Sequence, residues 1–192
     1  MGFYPNRINE TFRSPAKAGW VEDANGEGTS VAFECGTFLR MSLRITRAGL
    51  IEDAKYKSNG CGFAIAAAEV IANLLAGKDL KDLHGLEDRE VALDLIGKLD
   101  KFPPSREHCA GLGIAAAKAA FADYRIRRIV EFQGEKAIIC TCFGVSEETI
   151  EKLIDRGDAM EVSDVSAITR AGTGCGSCRM LIQELLDVTG QG

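Results

Sequence analysis

No stretch of this 192-residue chain is both long enough and apolar enough to span a bilayer: the longest apolar run, 62–75, is broken by Glu69. The opening Met1-Gly2-Phe3-Tyr4-Pro5-Asn6-Arg7 lacks a basic segment leading into an apolar one, so no secretory signal is expected. Asn6 stands where an N-myristoylation signal needs Ser or Thr. No internal repeat or low-complexity tract is present. No Lys/Arg cluster has the look of a nucleic-acid site; Arg125, Arg127 and Arg128 read as the solvated end of a helix. These absences point to a cytoplasmic protein with neither nucleic acid nor a membrane among its partners.

Apolar residues at 46% supply a core without outside help, and the length suits one ordinary domain, or one plus a small one. The net charge of −5 is unevenly placed: residues 138–192 carry nine acids and four bases, while 1–137 carry nineteen of each. That asymmetry predicts two modules, the second with an acidic surface suited to a basic protein partner. Seven cysteines are many for a reducing compartment, and an odd number fits disulfide pairing poorly. Metal binding or redox chemistry is the better account.

Periodicity predicts the elements. Residues 6–13 can form a short helix, and 29–34 a β-prone segment. Leu39, Met41, Leu43 and Ile45 alternate with polar residues as in a half-buried strand, and 51–57 reads as the returning strand. Ser58-Asn59-Gly60 breaks that strand and can cap a helix over 62–76. Further helices are predicted at 87–99 and, after Pro103-Pro104 and a capping Ser105, at 107–127. The fold class is α+β: a three-stranded antiparallel sheet with helices, followed by a small all-α domain. Residues 132–136 form the linker between a domain at 1–132 and one at 138–190. In the second, Ser146 caps a helix running to Arg156, a short helix over 163–170 stops at Gly172, and 178–188 is the last.

Cys140-Thr141-Cys142 and Cys175-Gly176-Ser177-Cys178 make two close pairs that two intervening helices can bring together. Four thiolates hold either a tetrahedral zinc or an iron–sulfur cluster. The C-x-C spacing and the glycines at 172, 174 and 176 favour the cluster, because small residues let backbone N–H groups approach its sulfides. A domain this small has a marginal core, which a metal would supplement. The other three cysteines sit at element ends: Cys35 between two strands, Cys61 at a helix start, and Cys109 in the first turn of the long helix beside His108. Helix N-termini favour thiolate, so Cys61 and Cys109 are expected to be reactive, and Cys109, at an exposed helix start, is the first candidate to accept persulfide sulfur. With His108 they make a tetrahedral donor set. His84 lies in a charged segment and reads as a surface residue.

Residues 139–145 and 174–178 resemble the bacterioferritin-associated-ferredoxin-like domain. The resemblance implies one permanent [2Fe-2S] cluster on Cys140, Cys142, Cys175 and Cys178. Glu34-Cys35-Gly36, the stretch from Ile51 through Asn59-Gly60-Cys61 to Ala66, and Phe102-Pro103-Pro104 through His108-Cys109 resemble the IscU/NifU scaffold family in order and spacing. This likeness implies a scaffold on which Cys35, Cys61 and Cys109 assemble a transient [2Fe-2S] cluster, with His108 completing the site for a cluster or a bare iron or zinc ion. It also implies transfer to apo iron–sulfur proteins, sulfur from a cysteine desulfurase of the NifS/IscS type, and assembly without turnover as an enzyme. A homodimer is compatible with it. Three departures stand out. Thr37 replaces the aspartate usual after Cys-Gly, from which slower cluster release is expected. Phe102-Pro103-Pro104-Ser105-Arg106 replaces the chaperone-binding Leu-Pro-Pro-Val-Lys. The sequence ends at Gly192, where such proteins commonly continue into another cluster-carrying domain, so that delivery site is expected to be missing. The alternatives are a zinc-dependent sulfur carrier, against which His108 speaks, and an electron carrier with a degenerate docking domain, which Thr37 favours.

Overall fold

The computed structural model describes residues 3–83, 86–99 and 102–189; His84, expected at the surface, lies outside them. The chain forms two compact units, one of 3–45, 51–78 and 86–124, the other of 46–50, 79–83 and 125–189.

The first unit contains α1 (Asn6–Arg13), β1 (Gly26–Ala32), β2 (Thr37–Ile45), β3 (Ile51–Ser58), α2 (Gly62–Leu75), α3 (Asp88–Leu99) and most of α4 (His108–Glu131). The strands pair antiparallel in the order β1-β2-β3, with Ala32 opposite Thr37 and Leu39 opposite Ser58. The alternation read along β2 is a burial alternation: Leu39, Met41, Leu43 and Ile45 point into the core. Ser42 breaks it, being fully buried on the other face. Its hydroxyl accepts a hydrogen bond from Val21 N–H at 3.0 Å, and Asn25 brackets Ile45 through both its N–H and C=O, so the 20–25 segment covers that end of the strand. Trp20 lies in this segment under two cations, Arg40 at 4.4 Å and Lys57 at 5.6 Å from the ring centre.

The alanine-rich stripe of α4 has a steric reason. A Cβ on Gly28 would lie 2.2 Å from Ala116 O and from Ala120 N, so β1 rests on the helix backbone itself. Ala116 and Ala120 are fully buried there. Glu69, the charge inside the apolar run of α2, is buried as well. Its carboxylate accepts from Ala16 N–H and Lys17 N–H at 3.0–3.1 Å and so ties the chain after α1 to the core. The expected cap of α2 by Ser58 or Asn59 does not form: Cys61 is the N-cap, and Tyr4 Oη accepts from Gly62 N–H at 3.0 Å. Ser105, expected to cap α4, lies instead within a 3-10 turn of residues 104–106 ahead of that helix.

The second unit contains β4 (Ile138–Cys140), β5 (Val145–Ser146), α5 (Glu147–Asp155), α6 (Val162–Thr169) and α7 (Arg179–Thr189). Ser146 caps α5 by accepting from Thr149 N–H at 3.2 Å, and Gly157 ends that helix at φ +73°, both as expected. The β4–β5 ladder is too short to leave an alternation in the sequence. α6 closes at Arg170, in the left-handed conformation at φ +66°, ahead of the expected stop at Gly172. Among the described residues no helix is long and apolar enough to cross a membrane.

Candidate metal centres

Three chain segments of the first unit converge on one cavity of about 370 Å³. The β1–β2 turn brings Cys35 and Thr37, the end of β3 brings Asn59, Gly60 and Cys61, and the turn into α4 brings Arg106, His108, Cys109 and Leu112. The turn 33–36 closes on Gly36, at φ +66°, whose N–H donates to Ala32 O at 2.9 Å. Asn59 pins the turn from the far side: its Oδ1 accepts from Phe38 N–H at 2.8 Å and its Nδ2 donates to Gly36 O at 3.3 Å. Gly60 has no room for a side chain, since a Cβ there would meet the Thr37 methyl at 2.8 Å and Ala64 Cβ at 2.6 Å.

The sulfurs differ in environment. Cys35 is exposed and donates to Thr37 Oγ1 at 3.2 Å. Hydrogen bonds from the Thr37 side chain and backbone hold its thiol below the ordinary value. Cys61 is half-buried. Cys109 is 3% exposed, and burial, followed by the neighbouring Cys61, pushes its thiol up to about 12. The exposed, thiolate-rich Cys109 expected from its helix-start position is therefore not what forms: desolvation outweighs the helix N-terminus, and Cys35 takes that character. His108 is exposed, with Nε2 3.5 Å from Cys109 Sγ. Arg106 was not among the expected site residues. It lies over the Phe63 ring at 6.0 Å and its charge favours the thiolates of Cys35 and Cys109. No spacing in the sequence announces it.

The second unit gathers Cys140, Cys142, Cys175 and Cys178. Cys142 Sγ lies 3.5 Å from Cys175 Sγ, and Cys175 Sγ lies 2.9 Å from Ser177 Oγ. Cys140 contacts both Cys142 and Cys178. The Cys178 thiol is lowered because Cys140 hydrogen-bonds to it, whereas Cys142 is raised by its contact with Cys140 and by burial. At Cys140 the contact with Cys142 favours thiolate, but Cys178 and burial outweigh it and the thiol is raised. Such sulfurs share protons because they cannot all carry charge uncompensated, which is the state a cation or cluster relieves. A Cβ on Gly174 would lie 3.1 Å from Cys142 Sγ, so the glycine keeps the sulfur's flank open. The donor set and this cradle fit a four-thiolate group. Arg125, expected as solvated, acts on Cys142 by its charge, and Arg128, also expected as solvated, donates through Nη2 to Phe143 O at 3.2 Å. Among the described residues no three Cys, His, Asp or Glu side chains stand together as a ready metal-ligand group.

Comparison with known families matches residues 3–131 to the NifU-like N terminal domain and 138–188 to the BFD-like [2Fe-2S] binding domain. The nitrogen fixation protein NifU of Trichormus azollae is 29% identical over 195 residues, covering 97% of this chain and 64% of that protein. The chain thus spans less than two thirds of that relative's length. The iron-sulfur cluster assembly scaffold protein IscU of Haemophilus influenzae is 32% identical over 128 residues, covering 65% of this chain and 98% of that protein. Among solved structures, the N-terminal part of a nitrogen-fixing NifU-like protein from Brucella abortus superposes with a TM-score of 0.50 at 16% identity, over 65% of this chain and 95% of that one. That likeness is one of fold alone.

Proposed function

The chain belongs to the family of the NifU-like N-terminal domain, and on that premise we propose that it is a scaffold on which iron–sulfur clusters are assembled. The observation that carries the reading is the convergence of Cys35, Cys61, His108 and Cys109 on one cavity from three separate segments. Residues 1–132 are the assembly domain and 138–190 the ferredoxin-like domain. The cargo is a [2Fe-2S] cluster built from iron and from sulfur delivered by a cysteine desulfurase, then passed to apo iron–sulfur proteins. The protein works in the cytoplasm and is a scaffold more than a turnover enzyme.

Cys35 is the sulfur acceptor on this reading, because it is the exposed sulfur with its thiol lowered. Its thiolate attacks the outer sulfur of the partner's persulfide. A sulfur–sulfur bond forms on Cys35 as the donor's breaks, and the donor cysteine leaves as thiolate. Two electrons from an external electron-carrier protein then break that sulfur–sulfur bond, releasing sulfide and returning Cys35 as thiolate. Cys61, Cys109 and His108 hold the iron that the sulfide bridges, and the low polarity around Cys109 keeps water from that side. Thr37 gives Cys35 a neutral hydroxyl partner in the place of a carboxylate, so release to an acceptor is slower than with an acid there. Thr37→Asp is expected to speed transfer; an unchanged rate would count against this role.

Cys140, Cys142, Cys175 and Cys178 are the residues that hold a resident [2Fe-2S] cluster. When bound there, that group would carry electrons one at a time. The experiment is iron, sulfide and zinc content of anaerobically purified protein before and after incubation with desulfurase, cysteine and iron. The expected result is about two iron and two sulfide at rest, rising to about four of each and falling when apo-acceptor is added. Zinc at the first centre, or iron that never rises, would leave a sulfur carrier or an electron carrier instead.

A further inference from the structure

The turn Cys142-Phe143-Gly144, which carries one of the four sulfurs of the second unit, is gripped from several sides by residues far away in sequence. Arg128 Nη2 donates to Phe143 O at 3.2 Å. Gly144, at φ +66°, lies so close under the same guanidinium that an added Cβ would meet Nη2 at 2.3 Å. Arg170 Cζ lies 4.6 Å from the centre of the Phe143 ring, and Arg170 is itself held by an ion pair to Asp79. Gly49 supports the ring edge, where a Cβ would come within 2.5 Å of Cε1. All these residues belong to the second unit, although Gly49 and Asp79 come from segments that precede α4 in the chain. The Arg128 guanidinium is committed to this place: its Nε is buried without a hydrogen-bond acceptor among the described residues.

Two cations on the residue after a ligand are more than packing requires. An apolar side chain could fill the space beside Phe143, yet a positive charge recurs on its carbonyl side and on its ring face. A group with four thiolates gains negative charge on reduction, and nearby cations favour the reduced form. We propose that Arg128 and Arg170 are positioning residues of the four-cysteine centre, holding the Cys142 turn by the carbonyl and the ring of Phe143 and setting, through their charge, how readily the centre is reduced. The inference rests on the reading that this centre holds a [2Fe-2S] cluster.

The test uses the full chain as purified anaerobically, with Arg128→Gln, Arg128→Lys and Arg170→Gln compared with wild type. Iron and sulfide content of the wild type comes first; a wild type without a bound cluster sinks the underlying reading and not the grip itself. Given a cluster, redox titration followed by its visible absorption reads the midpoint potential, and decay of the same absorption under chelator reads retention. Arg128→Gln is expected to shift the potential in the negative direction and to speed cluster loss about tenfold. Arg128→Lys, which keeps the charge, is expected to restore the potential, and Arg170→Gln to shift it in the same direction as Arg128→Gln. A Gln variant with wild-type potential and retention overturns the proposal. So does a Lys variant whose potential falls with that of Gln, because the charge would then be irrelevant. Far-ultraviolet circular dichroism of each variant excludes misfolding as the source of a shift, and Arg170→Gln tests the grip independently if Arg128 variants do not fold.

Discussion

At Cys35 the thiol meets water and the Thr37 hydroxyl; at Cys109 it meets apolar neighbours and a second thiol. Alkylation of the protein before iron loading should therefore modify Cys35 first and Cys109 last, as mass spectrometry of timed iodoacetamide reactions would report. The pH dependence has a definite sign. A lowered thiol pKa places the rise of Cys35 reactivity with pH below that of a free cysteine, whereas Cys109 stays a thiol until pH approaches about 12. Thr37→Val removes the hydroxyl that donates to the Cys35 thiolate, moves the Cys35 profile toward higher pH and slows its labelling at neutral pH, while Thr37→Ser leaves both in place. Labelling of Cys109 ahead of Cys35 would contradict the assignment of the sulfur acceptor. That Cys35, Cys61, His108 and Cys109 share one cavity was foreshadowed by their places at element ends, but their separate environments were not. A cysteine beside a helix start announces a dipole, and nothing local announces that Leu112 and the facing segments will take the water away.

Among the elements, the contact of β1 on α4 sets the sharpest limit. Gly28→Ala puts a methyl group 2.2 Å from two backbone atoms of the helix, so strand and helix must part. A loss of about 2–3 kcal/mol is expected, measured as a shift of the urea midpoint. Glu69→Ala leaves the N–H groups of Ala16 and Lys17 without their carboxylate, and about 3 kcal/mol is expected by the same measurement. β2 and β3 were readable because one face of each is buried and the period of two survives in Leu39, Met41, Leu43, Ala54 and Tyr56. Ser42 and Arg128 were not readable. Ser42 is buried by a segment arriving from 21 residues away, and Arg128 turns from solvent to Phe143 O across 15 residues. A helix end rich in arginine looks the same in either case. The small β4–β5 ladder leaves no pattern at its length.

For the molecule as a whole, the two units draw on different sources of stability. The first has an extensive apolar core with residues from β2, β3, α2 and α4 fully buried, whereas the second buries few large side chains, among them Ile150, Val165 and Ile182. Loss of the iron–sulfur group should accordingly melt the second unit and spare the first. Hydrogen exchange is the measurement: after oxidative removal of iron under chelator, protection is expected to fall at 147–155 and 179–189 and to persist at 62–75 and 110–124. Equal loss in both would refute separate stabilisation. Charge placement does not mark the two units: once 46–50, 79–83 and 125–137 join 138–192, the second unit carries −3 and the first −2, because chain reversals that charge does not record return those residues to it.

The only tryptophan of the chain is Trp20, fixed in the first unit between Arg40 and Lys57. Its emission is therefore a built-in optical reporter of that unit's integrity, quenched or shifted when the two cations leave the ring. Visible absorption by bound iron and sulfide at the four-cysteine centre would report the other unit at wavelengths where indole is silent. A single cuvette, read at two wavelengths, can thus follow the halves of this molecule separately through one melt.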